Sequence, residues 1–150
     1  MNDGSPMLLL GIGTSGCMIA RGVSRAFGER LRYAMIDTDA ATGADGGPFT
    51  LLGGDRLSGR GTGGDIVAAR LAAEDSIEVV DEHLEGVRLA VIVTSLGGGT
   101  GGGGTLEVAK HLSARGTRRG KRPAPSRTCR GDPRGKQKSP DASAESHRDF

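Results

Sequence analysis

Apolar runs alternating with helical patterns predict an α/β fold, a Rossmann-like parallel sheet with helices on both faces. Three observations carry that expectation. Continuous apolar stretches stand at residues 7–12 (MLLLGI), 31–36 (LRYAMI) and 89–94 (LAVIVT), as in strands buried on both faces. Each is followed, after a glycine-rich stretch that is long only behind the second, by a segment with helical spacing. Of the 27 glycines, 23 precede residue 115 and cluster between the apolar segments, where strand–helix connections belong. In such folds ligands sit outside the carboxyl ends of the strands.

The elements follow in order. Met7–Ile12 reads as the first strand. Gly13–Gly16 leads into a helix with Ile19, Val23 and Phe27 at spacing four and Gly28 as its stop. Leu31–Ile36 is the second strand and ends in Asp37-Thr38-Asp39. Residues 40–64 are irregular and glycine-rich, with a short strand expected at Phe49–Leu52. Asp65 is a good N-cap for one long helix whose stripe is Ile66, Ala69, Ala73, Ile77, Val80 and Leu84, closed by Gly86. Leu89–Thr94 is β-branched and uncharged. It runs into Gly97–Gly104, after which Thr105–Leu112 opens a last helix.

Charge divides the 150 residues. Residues 1–114 hold nine Lys/Arg and fourteen Asp/Glu, whereas residues 115–150 hold eleven and four, and that tail has no Val, Ile, Leu, Met, Trp or Tyr. Such a segment buries too little apolar surface to offset its ordering entropy. The expected organisation is a folded unit over 6–115 and a disordered basic tail over 116–150. No apolar run approaches the roughly 18 residues of a membrane helix, and the start lacks a basic n-region. Two cysteines, Cys17 and Cys129, make no disulfide framework, which fits a reducing, cytoplasmic setting. His83, His111 and His147 show no metal-ligand spacing.

The loops carry the chemistry. Gly11-Ile-Gly13-Thr-Ser-Gly16 fits G-x-G-x-x-G between a strand and a helix, where bare amides attract an anion. Asp37 lies 21 residues beyond Gly16, as the ribose-binding acid of a dinucleotide fold would. Gly97–Gly104 has one side chain in eight residues, Thr100. Its entropy cost suggests consecutive amides wrapped round something anionic. No G-x-x-x-x-G-K-[S/T] occurs and Lys110 is the first lysine, so backbone dipoles, Mg²⁺ and Arg70 would have to neutralise phosphates. Gly61-Thr62-Gly63-Gly64-Asp65 ends on a helix N-terminus that could hold a γ-phosphate. Asp37 and Asp39 could position Mg²⁺ through water, or simply cap a turn.

Together these segments resemble the tubulin/FtsZ family of GTPases. Gly97-Gly-Gly-Thr-Gly-Gly-Gly-Gly104 is similar to the signature GGGTGTG[S/G], Asp37-Thr-Asp-Ala40 to NTDA, and Gly61–Arg70 with Ala72–Asp75 to GAGANPEVGR and AAED. Gly11–Met18 sits where FtsZ has GVGGGGGN. The resemblance spans about residues 6–115, part of a GTPase domain. It implies GTP or GDP with Mg²⁺, held by Gly13, Thr14, Ser15, Gly16, Cys17 and Met18, by Gly61, Thr62, Gly63, Gly64 and Asp65, and by Gly98, Gly99, Thr100, Gly101 and Gly102. Met18 and Asp37 each replace a family asparagine. The implied role is GTP-dependent filament assembly in cell division or the cytoskeleton, by self-association or with a full-length homologue. Base contacts and the water-activating acidic loop come from later segments of the family domain, so hydrolysis would need a full-length partner subunit.

The tail reads as an out-of-frame or truncation product. The competing reading is a basic arm, which lacks aromatic platforms apart from Phe150, so specific nucleic-acid recognition is not expected. Two other functions compete with the GTPase reading. One is an NAD(P)-binding oxidoreductase fragment, resting on Gly11, Gly13, Gly16 and Asp37. The other is a non-enzymatic filament-capping or decayed paralogue.

Overall fold

The computed structural model describes residues 6–116; the tail expected over 116–150 lies, but for Gly116, outside the described residues. Four strands, β1 (Met7–Ile12), β2 (Arg32–Asp37), β3 (Phe49–Leu51) and β4 (Leu89–Thr94), form one parallel sheet in the order β3-β2-β1-β4. Helices α1 (Gly13–Phe27), α2 (Gly54–Leu57), α3 (Ile66–Ser76) and α4 (Thr105–Ala114) complete the unit, with a 3₁₀ segment over Ile77–His83. β1 is central, and five of its six residues are buried. That is why it reads as a continuous apolar run instead of an alternating one.

The two faces of the sheet are covered differently. Leu8, Leu10, Ile12, Ala34 and Ile36 point into the larger core with Leu52, Ala73, Val80, Val108 and Leu112 from the α3 and α4 side. Leu9 faces α1 with Ala20 and Leu31. On that second face contact is very close. A Cβ on Gly11 would lie 2.5 Å from the Gly16 carbonyl oxygen, and one on Gly16 only 2.3 Å from that of Val93. α1 therefore buries its small residues, Gly13, Gly16, Cys17 and Ala20. The Ile19–Val23–Phe27 stripe does not face the core as expected: Ile19 is 50% and Phe27 62% exposed, and only Val23 packs against the smaller core.

The expected long helix after Asp65 is two elements. α3 ends at Ser76, whose hydroxyl donates to the Ala72 carbonyl (2.7 Å) and accepts from the Gly53 amide (2.7 Å). Its backbone leaves the helical region (φ −134°, ψ 21°), as a residue with a competing side-chain bond can. Ala69, Ala73, Val80 and Leu84 of the expected stripe are buried, while Ile66 is exposed.

The glycine run is not an open loop. Helix begins at Gly99, passes through a π-helical turn over Thr100–Gly104 and continues as α4. None of its glycines has a positive φ. Their requirement is space: a Cβ would lie 2.0 Å from the Thr62 hydroxyl at Gly99, 2.0 Å from the Ser95 carbonyl oxygen at Gly101 and 2.1 Å from that of Ile66 at Gly103. Only Gly97 and Gly98 stand in open surroundings.

Candidate functional site

All four strands point the same way, so their carboxyl ends and the loops that follow share one edge of the sheet. There lies a cavity of about 600 Å³. Thr14 and Ser15 line it from the first turn of α1, Thr38 and Asp39 from the end of β2, Arg60–Gly64 from the segment before α3, and Ser95 with Gly97–Gly101 from beyond β4. Pieces distant in sequence are tied together around it. The Gly61 amide donates to the Thr38 carbonyl (3.0 Å), the Ala40 amide donates to the Gly59 carbonyl (2.9 Å), and the Thr38 and Thr100 hydroxyls hydrogen-bond at 2.7 Å. Gly63 and Gly64 sit at φ +59° and +91°, where a side chain would be strained.

Of the residues singled out in the sequence, Thr14, Ser15, Gly61–Gly64 and Gly98–Gly101 line this cavity. Gly13 and Gly16 are buried behind it. Gly102 faces Ile66, whose side chain would be 3.3 Å from an added Cβ. Cys17 and Met18 line a neighbouring cavity of about 380 Å³ with Arg21, Arg25, Thr42 and Asp45, which shares Thr14 with the first. The Cys17 thiol is buried between the Gly11 and Ile36 carbonyls, both at 3.4 Å. Burial, reinforced by the Asp37 charge, pushes it up to about 12, so it is no nucleophile.

The acidic residues divide by role. Asp39 is the one carboxylate lining the cavity, and its Oδ1 accepts the Ala41 amide at 2.9 Å. Asp37 does not line it. It is 2% exposed and accepts from the Thr14 hydroxyl (3.0 Å), the Thr42 hydroxyl (2.7 Å) and the Thr38 amide (2.8 Å). A charged acceptor with three donors is a strong buried hub, and this one orients Thr14, the residue the two cavities share. Asp65 does not line the cavity either: its carboxylate caps α3 by accepting from the Val67 (2.8 Å) and Ala68 (3.0 Å) amides. Those amides are therefore occupied, and the free α3 N-terminus expected from the sequence is not free.

Arg60 and Ser95 escaped the sequence reading, whereas Thr38 and Gly97 fell inside its loops without being named as ligand contacts. Arg60 is the cation of the cavity, whereas Arg70 lies outside it and pairs with Glu74 (3.2 Å) one helical turn on. The signal for Arg60 was its place between Gly59 and Gly61, but the Asp39–Arg60 bridge that puts it opposite the end of β2 is a tertiary contact. Among the described residues no group of three or more His, Cys, Asp or Glu could hold a metal. No helix there is long and apolar enough to cross a membrane.

No family model matches the chain. It is 32% identical over 124 residues to the cell division protein FtsZ of Helicobacter pylori strain 26695, covering 74% of this chain and 30% of that protein. With the FtsZ of Caulobacter vibrioides it shares 30% over 112 residues, 73% of this chain and 22% of the relative. The chain thus spans about a third or less of the curated relatives it matches. Among solved structures, CetZ2 from Haloferax volcanii, a GTPγS-bound protofilament, superposes with TM-score 0.64 at 29% identity over 72% of this chain and 36% of its own. The empty FtsZ dimer of M. jannaschii shares the fold with TM-score 0.70 at 24% identity, over 77% and 34%. Identity near 30% across three-quarters of the chain, with the common fold, makes this chain a relative of the FtsZ/tubulin family.

Proposed function

We propose that this chain binds GTP or GDP with Mg²⁺ in the cavity at the carboxyl edge of the sheet and takes part in cytoplasmic, filament-type assembly related to cell division. The observation that carries the reading is the convergence of the 14–15, 38–39, 60–64 and 95–101 segments on a single cavity. Two helices begin at its wall, α1 at Gly13 and the helical run at Gly99. Helix N-termini and glycine backbone attract phosphate, and the hydroxyls of Ser15, Thr38, Thr62 and Ser95 add donors, that of Thr14 being given to Asp37. With no lysine before Lys110, Arg60 supplies the positive side chain.

The cavity fits the group in volume and in donors. Asp39 is the residue that would hold Mg²⁺ through water, the usual mode for this ion. When bound, Mg²⁺ would offset phosphate charge; the chain's own part is to orient Thr14 through Asp37 and to keep the cavity walls free of side chains. The neighbouring cavity, reached past Thr14, would take the nucleoside over Met18. Hydrolysis falls to a partner subunit that supplies an acidic loop. The dinucleotide alternative needs the Asp37 carboxylate for ribose hydroxyls, and that carboxylate is buried, turned to three donors of the chain itself and absent from the cavity wall.

Thermal unfolding with GTP and Mg²⁺ tests the reading. Ligand at a hundred times its Kd stabilises by about 2.7 kcal/mol, a shift of roughly 10 °C or more for a domain near this size. Gly98→Asp puts a carboxylate into open cavity space, and should abolish the shift while leaving the unliganded midpoint nearly unchanged. No shift in the parent protein at millimolar GTP would refute the proposal.

A further inference from the structure

We infer that Arg60 contacts the outermost phosphate of the nucleotide, so that this chain holds GTP more tightly than GDP. This rests on the proposed binding of nucleotide at the carboxyl edge, and adds which phosphate the cation meets and what it discriminates.

Backbone geometry fixes where Arg60 stands. The Gly61 amide donates to the Thr38 carbonyl and the Ala40 amide to the Gly59 carbonyl, so these two bonds flank the antiparallel Asp39–Arg60 pair instead of joining it. Such a pair is the closer kind, with both side chains on one face. Both residues line the cavity of about 600 Å³. Gly59 and Gly61, on either side, sit at φ +69° and +71°, where a side chain would be strained. The Arg60 amide itself donates to the Leu57 carbonyl at 3.0 Å.

The guanidinium is not spent on the carboxylate opposite. Asp39 and Arg60 form no ion pair, and Asp39 Oδ1 instead accepts the Ala41 amide. An unspent guanidinium fork suits phosphate oxygens.

The place of Arg60 along the nucleotide follows from the two cavities. They share Thr14, so a phosphate chain that starts from the nucleoside cavity passes Thr14 first. Segment 60–64 lines the larger cavity and not its neighbour, so it meets the far end of that chain. The α3 amides that would have anchored an anion at this wall are taken, those of Val67 and Ala68 by the Asp65 carboxylate. Asp65 also sets a negative charge beside the segment. A terminal phosphate arriving here therefore depends on Arg60 for its counter-charge, and a diphosphate ends short of it.

Calorimetric titration of the 150-residue chain with GTP and with GDP, at fixed Mg²⁺ and salt, is the test. The parent should bind GTP about tenfold tighter than GDP or more. Arg60→Ala should weaken GTP by about 10- to 100-fold, as loss of a hydrogen bond between charged groups does, and GDP by less than about threefold. Arg60→Lys keeps the charge without the fork and should fall between. Arg70→Ala removes the same charge outside the cavity and should leave the GTP/GDP ratio unchanged. Arg60 is exposed, so both of its variants should keep the parent's circular dichroism and melting midpoint. Equal losses for the two nucleotides in Arg60→Ala, no loss for either, a parent that binds both alike, or a ratio that collapses equally in Arg70→Ala would each overturn the inference and leave nucleotide binding standing. A parent that binds neither nucleotide at millimolar concentration would overturn both.

Discussion

Replacing Gly103 by alanine would put a methyl group 2.1 Å from the Ile66 carbonyl oxygen and 2.9 Å from the Arg70 nitrogen. Both are backbone atoms of α3, so no flexible side-chain end can yield. Forcing an extra carbon into a packed site costs about 1–3 kcal/mol, and the contact at 2.1 Å belongs at the upper end. Against it stands the helical preference of alanine over glycine, about 1 kcal/mol. The net expectation is a loss of about 1–2 kcal/mol. For a domain near this size that is a fall of roughly 5–15 °C in the unfolding midpoint. Gly98→Ala is the matched control: it lies five residues away in the same glycine run, with nothing within 4 Å of an added Cβ and no positive φ. Its midpoint should move by less than about 0.5 kcal/mol in stability terms. Circular dichroism melts of the two variants decide the matter. Equal midpoints, or a larger loss at Gly98, would refute the claim that close packing explains Gly103.

Asp37→Ala should cost about 2–3 kcal/mol in a denaturant titration, because bonds to a charged acceptor are strong and their donors would be left buried; Asp37→Asn, which keeps one oxygen for the Thr38 amide, should cost less. Stability should fall in two steps on acidification. Burial, partly opposed by the Glu82 carboxylate, holds His83 below its ordinary 6.5, so its contribution is complete above pH 6.5 and declines as pH falls toward the folded value. The hydrogen bond from His111, aided by Arg115, holds Asp81 below its ordinary 3.8, and that contribution is present above pH 3.8 and lost as pH drops below it. Melts across pH should lose the upper step in His83→Gln and the lower one in Asp81→Asn. Native Cys17 should resist iodoacetamide for as long as the domain stays folded, with mass spectrometry showing modification at that position only after denaturation.

What the sequence discloses depends on which interaction fixes each element. β1 and β4 carry continuous apolar runs, set between Pro6 and Gly13 and between Arg88 and Ser95, and both were legible to the residue. The Asp65 cap was legible too, because a cap is local chemistry. The break at Ser76 was not, since it depends on Ser76 reaching the Gly53 amide across the fold. The α1 face was misread for a related reason. Period-four spacing identified Ile19, Val23 and Phe27, but the distance of the helix from the sheet is set by Gly11 and Gly16, and at that distance only small residues fit beneath it. In the site, the loops were visible as glycine clusters, whereas Arg60 and Thr38 enter through the pairing of 38–40 with 59–61.

The glycine run shows how packing and ligand chemistry become entangled in one segment. Glycine was expected there to bare amides for an anion, and at Gly97 and Gly98 the surroundings are open enough for that role. At Gly99, Gly101 and Gly103 the missing side chains serve a different purpose. They let the helical run press against α3 and the residues leading into it, and against the end of β4. That close approach is also what brings the start of the run to the wall of the same cavity as Thr14 and Gly61–Gly64. Mutation at the alternating positions should therefore lower stability and weaken any ligand together. Mutation at Gly98 should separate the two, which makes it the position where a loss of GTP binding can be assigned to the cavity and not to the fold.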